Sequence, residues 1–250
     1  MAVTPALRPL SLGEVLDVSF GLYRSLFAPL LVIAVICQSL PMALGVYLGG
    51  SGLLFVNLGL SLVYGVLAVI LGSLGVAAST FVVSDAYLGR ETSAIVALQR
   101  ALSLLGRLVV ISLLSSLLIG VGFMLLIVPG VILLSGLVLS TVVAVLEAPP
   151  SATAAMGRSW ELTLGFRGKV FLTLLVAFLL LLVPSIALGG VEALLGSEGG
   201  IGLIVLALEA ILQILIYPFL YVVMTILYYD LRVRKEGFDL ELLASSLQPA

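Results

Sequence analysis

All eleven lysines and arginines of this chain lie on one side of six long apolar stretches that contain none. The stretches cover residues 27–48, 58–83, 108–128, 131–146, 170–188 and 201–229. A bilayer core of ~30 Å takes about 20 apolar residues of helix at 1.5 Å each. Arg8 and Arg24 precede the first stretch, and Arg90, Arg100 and Arg107 lie between the second and third. Arg158, Arg167 and Lys169 lie between the fourth and fifth, and Arg232, Arg234 and Lys235 follow the sixth. The opposite loops carry only Glu192 and Glu198 as charges. Basic residues mark the cytoplasmic side, so the pattern predicts six transmembrane helices with both termini in the cytoplasm. A missed or extra helix would scramble the segregation.

Composition points the same way. The 250 residues are 62% hydrophobic and 10% charged, against roughly 45–50% and 25% in soluble domains. A net charge of −2 gives no basic excess for nucleic acid. The absence of histidine removes the commonest general base and metal ligand. The single cysteine, Cys37, has no partner for an intrachain disulfide. Glu14 and Asp17 precede the first apolar stretch, which is too long for a signal-peptide core.

The third and fourth stretches are divided only by Pro129-Gly130, a turn signal, so a hairpin is expected there. A threefold pattern surrounds the hairpins. Each pair of spans follows a short amphipathic stretch and ends near an acid: Asp85, Glu147 or Asp230. In the stretch 11–25, Leu12, Val15, Leu16, Ser19, Tyr23 and Phe27 share a face, and Ser11 with Glu14 has capping-box spacing. In 92–106, Ile95, Leu98, Leu102 and Leu105 oppose Arg100 and Arg107. In 151–165, Met156, Trp160 and Leu164 oppose Arg158 and Glu161. A weaker stretch with Phe238, Leu242, Leu243 and Leu247 falls in the tail 230–250. The expected fold is therefore all-α: one domain of six transmembrane helices in three hairpins, with short cytoplasmic interfacial helices forming a collar.

Catalytic and cofactor motifs are missing: no H-E-x-x-H, no phosphate-binding G-x-x-x-x-G-K-[ST] and no nucleophile–histidine set. No enzyme activity, cofactor or metal is expected. Glu209 stands about 12 Å inside the sixth span at 1.5 Å per residue. An ionisable group at that depth is a functional-site hypothesis by default. Gln213, Gln38 and Tyr64 reach similar depths and complete a candidate intramembrane polar cluster. Gly45 with Gly49, Ala68 with Gly72, and Gly75 with Ser79 have small-x-x-x-small spacing, which suits close packing within the chain or a homo-oligomer seam. Pro184 and Pro218 can kink the last two spans.

Several segments resemble one prokaryotic membrane family. They are Arg8-Pro-Leu-Ser-Leu-Gly-Glu-Val-Leu-Asp with Leu22-Tyr-Arg24, Val128-Pro-Gly130 through Val145-Leu-Glu147, Arg158-Ser-Trp-Glu-Leu-Thr163, and Tyr228-Tyr-Asp-Leu-Arg-Val-Arg-Lys-Glu-Gly-Phe-Asp239. Together they are similar to the membrane domain associated with glycerophosphodiester phosphodiesterases. The resemblance implies a multi-pass protein of the cytoplasmic (inner) membrane of a prokaryote. It carries no phosphodiesterase activity here, because that chemistry needs histidines. The family pattern often has an arginine shortly after the Pro-Gly turn, where this chain has Gly136. The functional expectation is a non-enzymatic module that engages membrane lipids, a protein partner or a second copy through its collar. The alternative is a small transporter or channel built on Glu209.

Orientation is open to direct test. Single cysteines replacing Ser51 and Ser197 should label from outside the cell, and those replacing Ser93 and Ser246 only from inside. Labelling at position 93 from outside would overturn the topology.

Overall fold

The computed structural model describes residues 8–50, 57–91, 93–195 and 200–238. Every regular element among them is an α-helix. Helix α1 (Leu12–Ser25) runs into α2 (Phe27–Gly50), and α3 (Leu58–Tyr87) returns beside it. Helix α4 (Ala94–Ser103) runs into α5 (Leu105–Leu125), which packs on α6 (Ile127–Leu137) and is followed by α7 (Ser140–Leu146). Helix α8 (Ala152–Thr163) leads to α9 (Arg167–Leu195), which pairs with α10 (Ile201–Glu236). Six spans are long and apolar enough to cross a membrane, with α6 and α7 together making the fourth. The chain is thus an all-α, multi-pass membrane protein. The expected amphipathic stretch beyond Phe238 lies outside the described residues, as do Ser51, Ser197, Glu198 and Ser246.

The three short helices begin alike. Ser11, Ser93 and Ser151 are their N-caps, and each hydroxyl accepts the backbone N–H three residues on, from Glu14, Val96 and Ala154. Such a cap contributes about 1 kcal/mol. At Ser11 the cap is reciprocal, since the Glu14 carboxylate accepts the Ser11 N–H at 2.7 Å. Each helix ends within one to three residues of the next span. The joints are Leu26, Leu104, and the segment Leu164-Gly165-Phe166, where Gly165 has φ +87°.

Burial is concentrated at the end where these helices gather. In α3 the buried residues begin at Ser73 and continue to Tyr87, and in α10 nearly all lie from Pro218 onward. At the other end Leu58, Leu62, Val66, Val183, Ile186 and Ile204 are exposed apolar side chains. Lipid tails cover such surface as readily as another helix would, so these ends need no protein partner.

The buried faces of α1 and α8 contain the expected Val15, Ser19 and Met156. Helix α4 divides its apolar residues between the core and the outside. Its buried residues are Ala94, Ala97, Leu98 and Ala101, while Ile95 and Leu102 are more than half exposed. The alanines allow α4 to approach α3 closely, which larger side chains on that face would prevent. Leu164, expected on the apolar face of α8, is likewise exposed.

The hairpin turn between the third and fourth spans also falls elsewhere than expected. The chain reverses at Leu126, in extended geometry with φ −163° and ψ 156°, and Pro129-Gly130 lies in the first turn of α6. Proline is tolerated there because the first helical N–H groups have no intrahelical acceptor. Gly130 allows the reversal: a Cβ on it would stand 2.9 Å from the Phe123 Cα. The fourth span is also not one helix but two, broken at Val138-Leu139.

Gly136 is closed in by Trp160, whose ring would overlap an added Cβ, and its carbonyl accepts the Ser159 hydroxyl at 2.7 Å. Gly136→Ala is expected to cost about 1–3 kcal/mol, as overpacking does. Gly157→Ala, with nothing within 4 Å of its added carbon, serves as control. Equal thermal midpoints for the two variants in detergent would contradict the packing described.

Candidate functional site

The acids that end the three hairpins share one arrangement. Each is held by a group from a short helix or the segment leading into one. Asp85, at the end of α3, accepts Arg100 Nη1 of α4 at 2.7 Å, and Phe81 lies under that guanidinium at 3.9 Å. Glu147, after α7, accepts Arg158 Nε of α8 at 2.8 Å and the Tyr228 hydroxyl of α10 at 2.9 Å. Asp230 of α10 accepts the Leu10 N–H, just before α1, at 2.7 Å. Asp230 also pairs with Lys169 and Arg234, both of which donate to the Leu10 carbonyl. The third tie joins the two ends of the described chain, so the ties close a ring.

Arg158 extends the second tie to Glu236 at 2.5 Å. Its hydrogen bond to Glu147, and then that to Glu236, raises its affinity for the proton despite partial burial. Ala148, which follows Glu147, has φ +46° and precedes two prolines. This left-handed residue costs roughly 1–2 kcal/mol and turns the chain from α7 toward α8. At the entrance to α1, the Ser11 N–H and then the Arg8 guanidinium hold the Glu14 carboxyl down at about 2.

A second set of basic residues stands where the short helices meet the spans. Arg24 is in the last turn of α1, Arg107 in the first turn of α5 and Arg167 at the first position of α9. None of the three has an ion-pair partner among the described residues. Arg167 is the most enclosed. Its guanidinium stacks on Trp160 at 3.7 Å, and its Nε and Nη2 are buried without an acceptor.

The four residues of the expected polar cluster separate into two groups. Gln38, Tyr64 and Gln213 line one cavity of about 230 Å³ between α2, α3 and α10, together with Tyr217 and Tyr221. Glu209 is half-buried and does not line it. Gln38 is 5% exposed, and both amide atoms are buried without a hydrogen-bond partner. Two of the small-residue positions pack within the chain. An added Cβ on Gly45 would meet the Tyr64 ring at 3.3 Å, and one on Gly75 would meet the Cys37 Cβ at 3.3 Å. Among the described residues, no three or more cysteines or carboxylates gather where a metal could bind.

A second cavity, of about 280 Å³ and without polar surface, lies between α6, α9 and α10. Leu134 and Val138 wall it at the end of α6, Phe171 and Phe178 on α9, and Leu220 and Met224 on α10.

Removing the acids should rank by enclosure. The Asp230 side chain is 0% exposed, that of Asp85 9% and that of Glu147 21%. Breaking a buried pair costs about 3–5 kcal/mol, because the partner charge is left uncompensated. Asp230→Ala should therefore lower the thermal midpoint most and Glu147→Ala least; the reverse order would refute the ring as a stabilising element.

No known family model, curated protein or solved structure matches the chain.

Proposed function

We propose that this protein is a non-enzymatic membrane module whose cytoplasmic collar binds anionic phospholipid of the inner leaflet. The observation that carries the reading is Arg167, a guanidinium stacked on Trp160 with Nε and Nη2 buried and unpartnered. Arg167 is half-buried and has no ion-pair partner among the described residues, so the open edge of its guanidinium favours an anion. At the start of a span, the abundant anion is a lipid phosphate. Arginine binds phosphate through a planar fork of donors, and tryptophan favours the same interfacial depth.

The other joints add to this. Arg24 and Arg107 hold corresponding positions, and each interfacial arginine is attracted to an anionic leaflet by ~1 kcal/mol. Phe20, Ile95 and Leu102 are exposed on α1 and α4, in addition to the residues those helices bury in the core. A helix with apolar residues on its outward side rests stably at the headgroup–acyl boundary. The likeness to the phosphodiesterase-associated membrane domain suits a role in the membrane without catalysis.

The test is the lipid that accompanies the purified protein. The native chain should co-purify with anionic lipid enriched over its share of the membrane. The triple variant Arg24→Gln, Arg107→Gln, Arg167→Gln should lose that enrichment while still folding. Unchanged enrichment would reject the reading.

A further inference from the structure

We infer that the tip of the second hairpin, where α5 turns into α6, is an anchor buried among the acyl chains of the leaflet opposite the short helices. Two hydrogen bonds set a common level from which the spans can be compared. The Ser84 and Tyr229 hydroxyls bond at 2.7 Å, and the Tyr228 hydroxyl donates to Glu147 at 2.9 Å. From that level α3 runs from Ser84 back to Leu58, and α10 from Tyr228 back to Ile201. At 1.5 Å per residue these reaches are about 39 and about 40 Å. The second hairpin, from Glu147 back to Leu126, reaches only about 31 Å. Its break at Val138-Leu139 shortens it further.

A bilayer measures about 40–45 Å with its headgroup layers and ~30 Å without them. Charged groups such as Glu147 and Arg158 are stable in a headgroup layer and costly in hydrocarbon. Counted from there, the first and third hairpins are long enough to reach the opposite headgroups. The second ends at or below the far edge of the hydrocarbon. The side chains agree with this depth. Residues 117–134 include no polar side chain. The far end of α3, by contrast, is capped by the Asn57 side chain, and Ser197 and Glu198 precede α10 in the sequence. Met124 through Val128 are each between 68% and 89% exposed. Five consecutive large apolar side chains would be out of place on a turn that faces water.

The backbone makes this turn with little need of water. Leu126 alone separates α5 from α6; its N–H donates to the Gly122 carbonyl at 3.1 Å, and its carbonyl accepts the Gly130 N–H at 3.3 Å. Pro129 has no N–H to satisfy. A Cβ on Gly122 would stand 3.1 Å from the Gly130 Cα, so the two helices close on each other without a loop between them. Open loops are what hydrocarbon does not tolerate. The occupant around the tip is lipid rather than another protein. Met124 and Leu125 end α5, Ile127 and Val128 begin α6, and all four are exposed, so exposure is not confined to one face. A protein partner would cover one face, whereas acyl chains cover every side.

The test places a nitroxide spin label on the full chain in lipid nanodiscs, through Met124→Cys at the tip or Leu58→Cys at the far end of α3. Both side chains are largely exposed, so neither substitution removes packing. Cys37 is fully buried, and the native chain controls for its labelling. Collision rates are measured with oxygen, which concentrates in hydrocarbon, and with a water-soluble nickel chelate. The ratio of oxygen to chelate collisions should be several-fold higher at position 124 than at position 58. Equal ratios at the two positions would overturn the inference. Low rates with both reagents at position 124 would mean that protein, such as a second copy, covers the tip, and would overturn it too. A thermal melt of each variant checks that it is folded. Were Met124→Cys unfolded, Ile127→Cys in the first turn of α6 takes its place, and the same outcomes decide.

Discussion

A carboxylate at the end of a returning span is in an unstable position unless something meets it. Asp85, Glu147 and Asp230 each stand where an apolar helix leaves its apolar surroundings, and each is met by a donor from a short helix or its leading segment. The placement of the short helices depends on these ties. Without them α4 and α8 would be held to the preceding hairpins only by packing and chain connection. The Tyr228–Glu147 bond adds a second link between the second hairpin and the third, and the Arg158–Glu236 bond holds α8 to α10 within the third unit.

The ring explains why the core lies at one end. Tyr228, Leu139 and Ile226 are almost wholly buried there, closed in on every side as interior residues of a soluble protein are. Away from it the spans carry exposed leucines, isoleucines and valines. In lipid, apolar surface supplies little drive for helices to associate, so close contact away from the ring falls at small residues such as Gly45 and Gly130.

Much of the architecture is legible in the sequence because it depends on two coarse signals, apolar length and the distribution of arginine and lysine. The spans and the three acids follow from these. The acids' partners do not, because whether Arg100 reaches Asp85 depends on helix phase and joint geometry. Only Ser11 carries a recognisable capping pattern; Ser93 and Ser151 lack an acid three residues later and look ordinary. Pro129-Gly130 reads as the turn that Leu126 actually makes, because a proline in a first helical turn carries the same signature as one in a loop. Residue counting along the spans brings Gln38, Tyr64 and Gln213 to one depth but cannot fix rotation, and Glu209 falls outside their cavity. The junction arginines do leave a signal: a basic residue recurs just before or within the start of each hairpin.

The bond between Leu10 and Asp230 joins groups separated by 220 residues. At a synthesis rate of roughly 5–20 residues per second, on the order of ten to forty seconds separate their emergence from the ribosome. During that interval α1 has none of its contacts with α9 or α10. A capped helix with an apolar side can wait at the bilayer surface, whereas a bare strand of polar chain could not. The N-terminal cap at Ser11 thus serves assembly as well as the finished fold: it keeps the first segment in shape until the last one arrives to close the ring.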